Sequence, residues 1–222
     1  MAHHSILILS GGLDSTVSSW IAREQTKPVL ALTFDYGQRA VKREIEAAKY
    51  QADLMGVSHR IITLPWLSEI TKTSLVDQGK KIPSLAEEDL DNTDKTFPSA
   101  QAVWVPNRNG IFLNIAAAFA ESAGAETLVT GFNEEEGITF PDNSTPFVHA
   151  ANEFFWYSTL SRVKVMSFTV AMNKREIANK AKALGIDFEK IWFCYEGGSS
   201  PCRQCESCSR SFRAFREIGI TI

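Results

Sequence analysis

Long hydrophobic runs are missing from this 222-residue chain. None approaches the roughly 18 consecutive apolar positions that a bilayer-spanning helix requires, so no membrane span is expected. The opening "MAHHSILILSGG" has no basic segment followed by a long apolar stretch and a cleavage site. No secretory leader is read there, and the cytoplasm is the expected compartment. An excess of one charge is also missing. The formal net charge is −3, which gives no global attraction to nucleic acid or to an anionic membrane, so neither partner is expected. Cysteine is scarce, with only four, all between positions 194 and 208. That clustering, in a chain expected to be cytosolic, points to a metal rather than to disulfides. Internal repeats and low-complexity tracts are absent. So is the GxxxxGK[ST] signature. The glycine-containing turn "SGGLDS" (10–15) has no lysine to neutralise a transferring γ-phosphate, which argues against kinase or ordinary ATPase chemistry.

What is present is ordinary in bulk, with 44% hydrophobic and 22% charged residues. That suits a soluble globular protein of one domain, or one domain with an appendage. "ILIL" (6–9), "VLALTF" (29–34) and "RIITL" (60–64) read as buried strands. A helix from Asp14 to about Arg23 and an amphipathic helix over 39–55 separate them. Strand–helix alternation of this kind is the signature of an α/β fold with a parallel sheet covered by helices. In such folds ligands bind at the carboxyl ends of the strands, where "SGGLDS" and "DYGQ" (35–38) lie.

Residues 65–107 have weak periodicity and an acidic run, "EEDLDNTDK" (87–95). They read as a long excursion with one short helix, suited to a lid. Regular structure resumes with a helix from Ile111 to near Gly124 and a strand at 126–130. A loop over 131–143 follows, in which Glu134, Glu135 and Glu136 read as plain solvation. Beyond it come a helix over 147–160 and a last strand at 163–170. Asn173 and Glu176 form a capping-box pattern opening a helix over 174–184. The chain divides into an α/β domain, 1–185, and a cysteine-bearing tail, 186–222, closed by a short helix at 208–218. Arg203, Arg210, Arg213 and Arg216 in that tail read as a solvated face.

The backbone N–H groups at a helix N-terminus are unpaired and carry partial positive charge, so "SGGLDS" is an anion site by position. Gly11 and Gly12 allow close backbone approach to a phosphate, and Ser10 and Ser15 add hydroxyl donors. Asp14 would repel a bare phosphate, so its expected use is as a Mg²⁺ ligand, direct or through water. Cys194, Cys202, Cys205 and Cys208 are spaced C-x7-C-x2-C-x2-C. Four thiolates suit tetrahedral Zn²⁺ with no position left for water, hence a structural ion that folds the tail. An iron–sulfur cluster uses the same ligand set.

A short SGGxDS turn resembles the PP-loop of the N-type ATP pyrophosphatases, in which the turn cradles the β,γ-pyrophosphate that leaves as a substrate oxygen attacks the α-phosphorus. Together with "TFDYGQR" (33–39), "VPNRNGIFLNIAAAFAE" (105–121), "TGFNEEE" (130–136), "FPDN" (140–143) and "CYEGGSSPCRQCESC" (194–208), it makes nearly the whole chain similar to the QueC (ExsB) family, the 7-cyano-7-deazaguanine synthases of queuosine biosynthesis. The resemblance implies a Rossmann-like domain of the adenine nucleotide alpha hydrolase (HUP) type with a small helical zinc-knuckle region. It implies a homodimeric, ATP-dependent ligase that joins ammonia to 7-carboxy-7-deazaguanine through adenylated intermediates. Leu9, Ser10, Gly11, Gly12, Leu13, Asp14, Ser15 and Thr16, with Phe34, Tyr36 and Gln38, would hold ATP. Arg108 and Asn109 would meet phosphate or the substrate carboxylate, Asp142 the guanine-like edge, and Lys164 would stand as a cation near the acyl-phosphate. Asp14, Ser15, Arg108 and Lys164 are thereby the catalytic candidates. The stretch after Asp142 departs from the family pattern, lacking its neighbouring cysteine and arginine. A related ligase that stops at the amide, or adenylates another acceptor such as a tRNA base, is therefore the alternative.

Overall fold

A computed structural model describes residues 3–222. Five strands form, β1 His4–Ile8, β2 Lys27–Asp35, β3 Ser58–Thr63, β4 Thr127–Thr130 and β5 Lys164–Ser167. They make one sheet in the order β3-β2-β1-β4-β5, parallel at every neighbouring pair. The central strands read as unbroken apolar runs because both of their faces are covered. Ile6 and Leu128 enter one core with α5 (Arg108–Ala123) and α7 (Thr145–Ser158). Leu7 and Val129 enter the other with α1 (Leu13–Gln25) and α2 (Val41–Met55).

The remaining helices are α3 Pro65–Ile70, α4 Thr93–Val103, α6 Glu134–Thr139, α8 Lys174–Ala183 and α9 Glu206–Glu217. Helix α1 is covered twice. Ala22 meets the sheet side, while Leu13, Val17 and Ile21 pack with Ile177 and Ala181 of α8 and with Phe188, Trp192 and Phe215 of the tail. The tail therefore shares a core with the first helix after β1. Both halves of the expected capping box are made at α8: Asn173 Oδ1 accepts from the Glu176 N–H, and Glu176 Oε2 accepts from the Asn173 N–H, each at 2.9 Å.

Three expectations are revised. The 65–107 excursion holds α3 and α4 as well as a 3-10 turn at Glu87–Asp89. It is also pinned to the tail, by a bridge between Ser84 and Cys205 and by Leu85 N–H donating to the Gln204 carbonyl at 3.0 Å. The last strand stops at Ser167 rather than 170. Beyond it the Phe168 N–H turns to Ser18 Oγ, and Thr169 Oγ1 donates to the Phe132 carbonyl, so the backbone leaves the sheet ladder. The loop after β4 contains the helical turn α6, opened by Asn133, whose side chain accepts from the Glu136 N–H.

Connections from β1 run toward β2 on one side, while β4 and β5 lie on the other. The crevice at the carboxyl ends of β1 and β4 is thus the topological switch point, where α/β sheets bind ligands. The turns after these two strands touch there. A Cβ on Gly131 would lie 2.3 Å from Ser15 N, closer than any real contact. Gly131→Ala is therefore expected to push β4 from α1 and to destabilise by about 1–3 kcal/mol. Urea unfolding should show a lower midpoint at an unchanged slope, and an unshifted midpoint would contradict the close approach.

Candidate active site

A cavity of about 220 Å³ opens at this switch point. First-turn residues of several helices reach it, among them Leu13, Asp14 and Ser15 of α1, Arg108 and Asn109 of α5, Glu136 of α6 and Lys174 of α8. Gly12 caps α1 without any side-chain bond, so the orphan N–H groups of that turn are free to meet an anion. Ser10 Oγ and Ser15 Oγ lie 2.9 Å apart beside them. Leu9, Ser10 and Gly12 also line the cavity, as do Phe34, Tyr36 and Gln38 from the end of β2.

Two of the expected nucleotide residues do not face this space. Gly11 has φ +78°, and a Cβ there would lie 2.7 Å from the backbone of Glu44 and Ala48 in α2. Its glycine serves the packing of the turn on α2. Thr16 is fully buried, with its N–H on the Gly12 carbonyl at 3.1 Å.

Lys164, expected as the catalytic cation, stands at the opposite edge of the sheet. It begins β5, exposed, and in a parallel sheet the start of a strand is the end remote from the ligand. The buried cation is Lys174 instead. Its Nζ donates to Asp14 Oδ2 at 2.6 Å and to Glu136 Oε1 at 3.0 Å. A cation at the first position of a helix opposes the helix dipole, and that mismatch was the signal in the sequence. Glu135 and Glu136 are likewise not plain solvation. Glu135 Oε1 accepts from the Lys174 N–H at 2.8 Å, and Oε2 accepts from Arg210 Nη1 at 3.0 Å.

Burial raises the Asp14 carboxyl to about 6, Lys174 offsetting only part of that effect. Burial would also raise Glu136, but the charge and hydrogen bond of Lys174 hold it below the usual carboxylate value. Burial lowers Lys174, and its two carboxylate partners more than reverse this, so the ammonium stays charged. Asp14 Oδ1 is buried without a partner, an acceptor free to take a cation.

Arg108 Nη1 donates to the Tyr36 hydroxyl at 3.2 Å. Tyr36, Asp142 and Glu44 together overcome the burial of the guanidinium and hold it charged. Gln38 is spent internally, donating to the Phe34 carbonyl and to Glu44 Oε2. Phe34 stacks on Phe112 with centroids 4.0 Å apart, which gives the cavity a flat apolar wall. Asp142 is half-buried in a 3-10 turn, its carbonyl accepting from Asn109 Nδ2 at 3.1 Å. Asn143, next to it, lines the cavity in its place.

The tail contributes more than its cysteines. Trp192, Phe193, Tyr195, Ser207 and Ser211 line the cavity, and the Trp192 N–H bonds the Gly11 carbonyl at 2.8 Å. Arg210 and Arg213 are not a solvated face, whereas Arg203 and Arg216 are exposed as expected. Arg213 and Arg216 pair with Asp91 and Glu87 of the acidic run, and Arg210 is buried on Glu206 and Glu135. Two opposite charge runs that each look solvated in the sequence are partners in the fold.

The Sγ atoms of Cys194, Cys202, Cys205 and Cys208 lie within 4.8 Å of one another. The Cys202–Cys208 separation is 3.8 Å, close to the edge of about 3.8 Å of a tetrahedron with Zn–S bonds of about 2.3 Å. Cys194 Sγ accepts backbone N–H bonds from Glu196 and Cys202, both at 3.3 Å, as a thiolate would. The donor set fits a closed four-sulfur metal centre.

Sheet, turn and cavity define a PP-loop enzyme of the Rossmann-like α/β class. The sequence profile of the family described as "Queuosine biosynthesis protein QueC" matches residues 4–219. A protein of Pelotomaculum thermopropionicum named 7-cyano-7-deazaguanine synthase is 49% identical over 218 residues, 98% of this chain and 99% of that one. One of the same name from Methanosarcina mazei is 49% identical over 219 residues, 97% of this chain and 95% of that one. The solved NMN synthetase of Francisella tularensis shares the fold, with TM-score 0.51 at 12% identity over 100% of this chain and 79% of its own. The chain belongs to the QueC family of queuosine biosynthesis proteins.

Two outcomes are expected. The Asp14 carboxyl titrates at about 6 against an ordinary 3.8. The folded chain keeps a proton there that the unfolded chain has released, so stability from this group is greatest at low pH and falls as pH rises through about 6. Asp14→Asn should remove that fall from urea midpoints taken across this range; an identical pH slope would show that Asp14 is not buried as described. Cys205→Ser should lower bound metal, and with it the thermal midpoint by roughly 10 °C. Full metal content with an unshifted midpoint would remove the cysteine centre as a structural element.

Proposed function

We propose that this chain is an ATP-dependent 7-cyano-7-deazaguanine synthase. In this reading the carboxylate of 7-carboxy-7-deazaguanine attacks the α-phosphorus of ATP, and pyrophosphate leaves. Ammonia displaces AMP from the acyl-adenylate to give an amide. The amide oxygen attacks the α-phosphorus of a second ATP with release of a second pyrophosphate, and loss of AMP and of both amide protons leaves the nitrile. The observation that carries the reading is the convergence of the N-termini of α1, α5 and α8, among others, on one cavity that holds the Asp14–Lys174–Glu136 cluster, in a chain nearly half identical to relatives of that name.

Each group then has a task. The first-turn N–H groups of α1, with the Ser10 and Ser15 hydroxyls, cradle the β- and γ-phosphates. Lys174 supplies the positive charge that the turn itself lacks. Asp14 Oδ1, buried without a partner, would hold a Mg²⁺ ion, which would supply charge neutralisation of the phosphates. Such a counter-ion suits a cavity edged by Asp14 and Glu136 against Lys174. Arg108, charged and beside Tyr36, is placed for the substrate carboxylate or the α-phosphate. The stacked Phe34–Phe112 wall suits a flat base. Asn109 and Asn143 offer amides to the polar edge of the deazaguanine. Tyr195 and Trp192 screen the reactive mixed anhydride from water, as an acyl-adenylate requires. Zn²⁺ on the four cysteines would hold that screen in place and take no part in the chemistry.

Mass spectrometry of the products from ATP, ammonia and 7-carboxy-7-deazaguanine tests the proposal. Nitrile with AMP and pyrophosphate is expected, and Asp14→Ala should reduce kcat/KM about a hundredfold or more, some 2.7 kcal/mol. Amide as the end product would move the chain to an amide-forming ligase. No AMP with this acceptor would refute the substrate.

A further inference from the structure

Arg210 and Glu135 neither line the cavity nor bind sulfur, yet they are among the most closely bonded charges in the molecule. We propose that they are positioning residues. They tie the four-cysteine element to the nucleotide site, so that the seat of the knuckle sets where the Lys174 ammonium stands against Asp14. The proposal rests on the nucleotide reading given above.

The link is continuous. Cys205 caps α9 and Cys208 lies in its first turn. Arg210, on the next turn, has a side chain only 7% exposed. Its planar fork reaches three elements. Nε and Nη2 donate to Glu206 Oε1 at 3.0 and 2.8 Å, Nη2 to the Leu90 carbonyl at 3.3 Å, and Nη1 to Glu135 Oε2 at 3.0 Å. The other Glu135 oxygen accepts the Lys174 N–H at 2.8 Å. From Lys174 the ammonium goes to Asp14 and Glu136. One carboxylate, Glu135, thus joins the helix that carries two cysteines to the residue that meets the phosphate turn.

Stability alone does not account for the arrangement. A buried ion pair is commonly no better for stability than a packed hydrophobe of similar size. Here Glu206 Oε2 is left buried and unpartnered even with Arg210 in place. What the fork provides is geometry, because a guanidinium fixes several acceptors in one plane and an ammonium does not. Lys174 needs that fixing. It is a long, flexible side chain at a helix start that disfavours its charge, and Glu135 anchors the backbone from which it extends.

The test uses the metal-loaded full chain. Arg210→Gln, Glu135→Gln and the double variant are compared with wild type. Arg216→Gln, on the exposed side of the same helix and paired with Glu87, serves as control. Metal content, thermal midpoint, KM for ATP, kcat and Mg·ATP affinity by titration calorimetry are measured for each. Each single variant should keep its metal and raise KM and Kd for ATP about tenfold. The double variant should be no worse than either single, because both cut the same link. The control should match wild type.

A lowered midpoint with unchanged KM and Kd for ATP would overturn the proposal, as would a double variant whose loss is the product of the singles. If Arg210→Gln fails to fold, Glu135→Gln decides alone, since its amide oxygen still accepts the Lys174 N–H while the ion pair is gone. Wild type that does not bind Mg·ATP would refute the nucleotide reading and this inference together. Wild type that binds, with variants that bind equally, refutes only the inference.

Discussion

The Lys174 ammonium, shared between Asp14 and Glu136 at 2.6 and 3.0 Å, is the interaction on which the rest of the site depends. It joins the turn after β1, the helical turn after β4 and the start of α8, and it does so at the one place where the sheet changes direction. Without it, Asp14 and Glu136 would face one another in a buried crevice, where neighbouring carboxylates cannot both stay ionised. With it, Asp14 still has one free oxygen and the turn still has its orphan N–H groups. That arrangement suits the proposed Mg·ATP, an anion that arrives with a cation. The lysine that "SGGLDS" lacks is supplied 160 residues away, which is why the turn alone looks incomplete.

What could be read in the sequence was local. The strand–helix alternation and the capping box at Asn173 and Glu176 each depend on spacing within a few residues, and each stands where the spacing put it; the four cysteines, also close in sequence, bring their sulfurs within 4.8 Å of one another. What could not be read was long-range charge pairing. The acidic run at 87–91 and the arginines of α9 each look like solvated surface, and only the folded chain brings Glu87 to Arg216 and Asp91 to Arg213. Lys164 stands away from the cavity for a directional reason, whereas Lys174, which the sequence reading did not single out, lines it. Both flank the last strand, but a parallel sheet presents its ligands at one end, and Lys164 begins the strand. The charge that opposes its own helix dipole was the better guide.

The tail illustrates how a separate-looking segment becomes part of a site. Its cysteines suggest a small unit folded by metal, and their geometry fits that role. Yet Phe188, Trp192 and Phe215 pack on α1, and Trp192 and Tyr195 wall the cavity. The four-cysteine cluster, the arginine beside it and the "SGGLDS" turn therefore lie along one path of contacts. Membership of a queuosine biosynthesis family agrees with the proposed reaction, whose acyl-adenylate would need shielding from water.

The most direct measurement is a structure determined with Mg²⁺ and an ATP analogue that cannot be cleaved between the α- and β-phosphorus atoms. The account expects the β- and γ-phosphates on the first-turn N–H groups of α1, the Lys174 ammonium in contact with them or with Asp14, and the metal ion on Asp14 Oδ1. Phosphates seated elsewhere, with Asp14 Oδ1 still unpartnered, would contradict it.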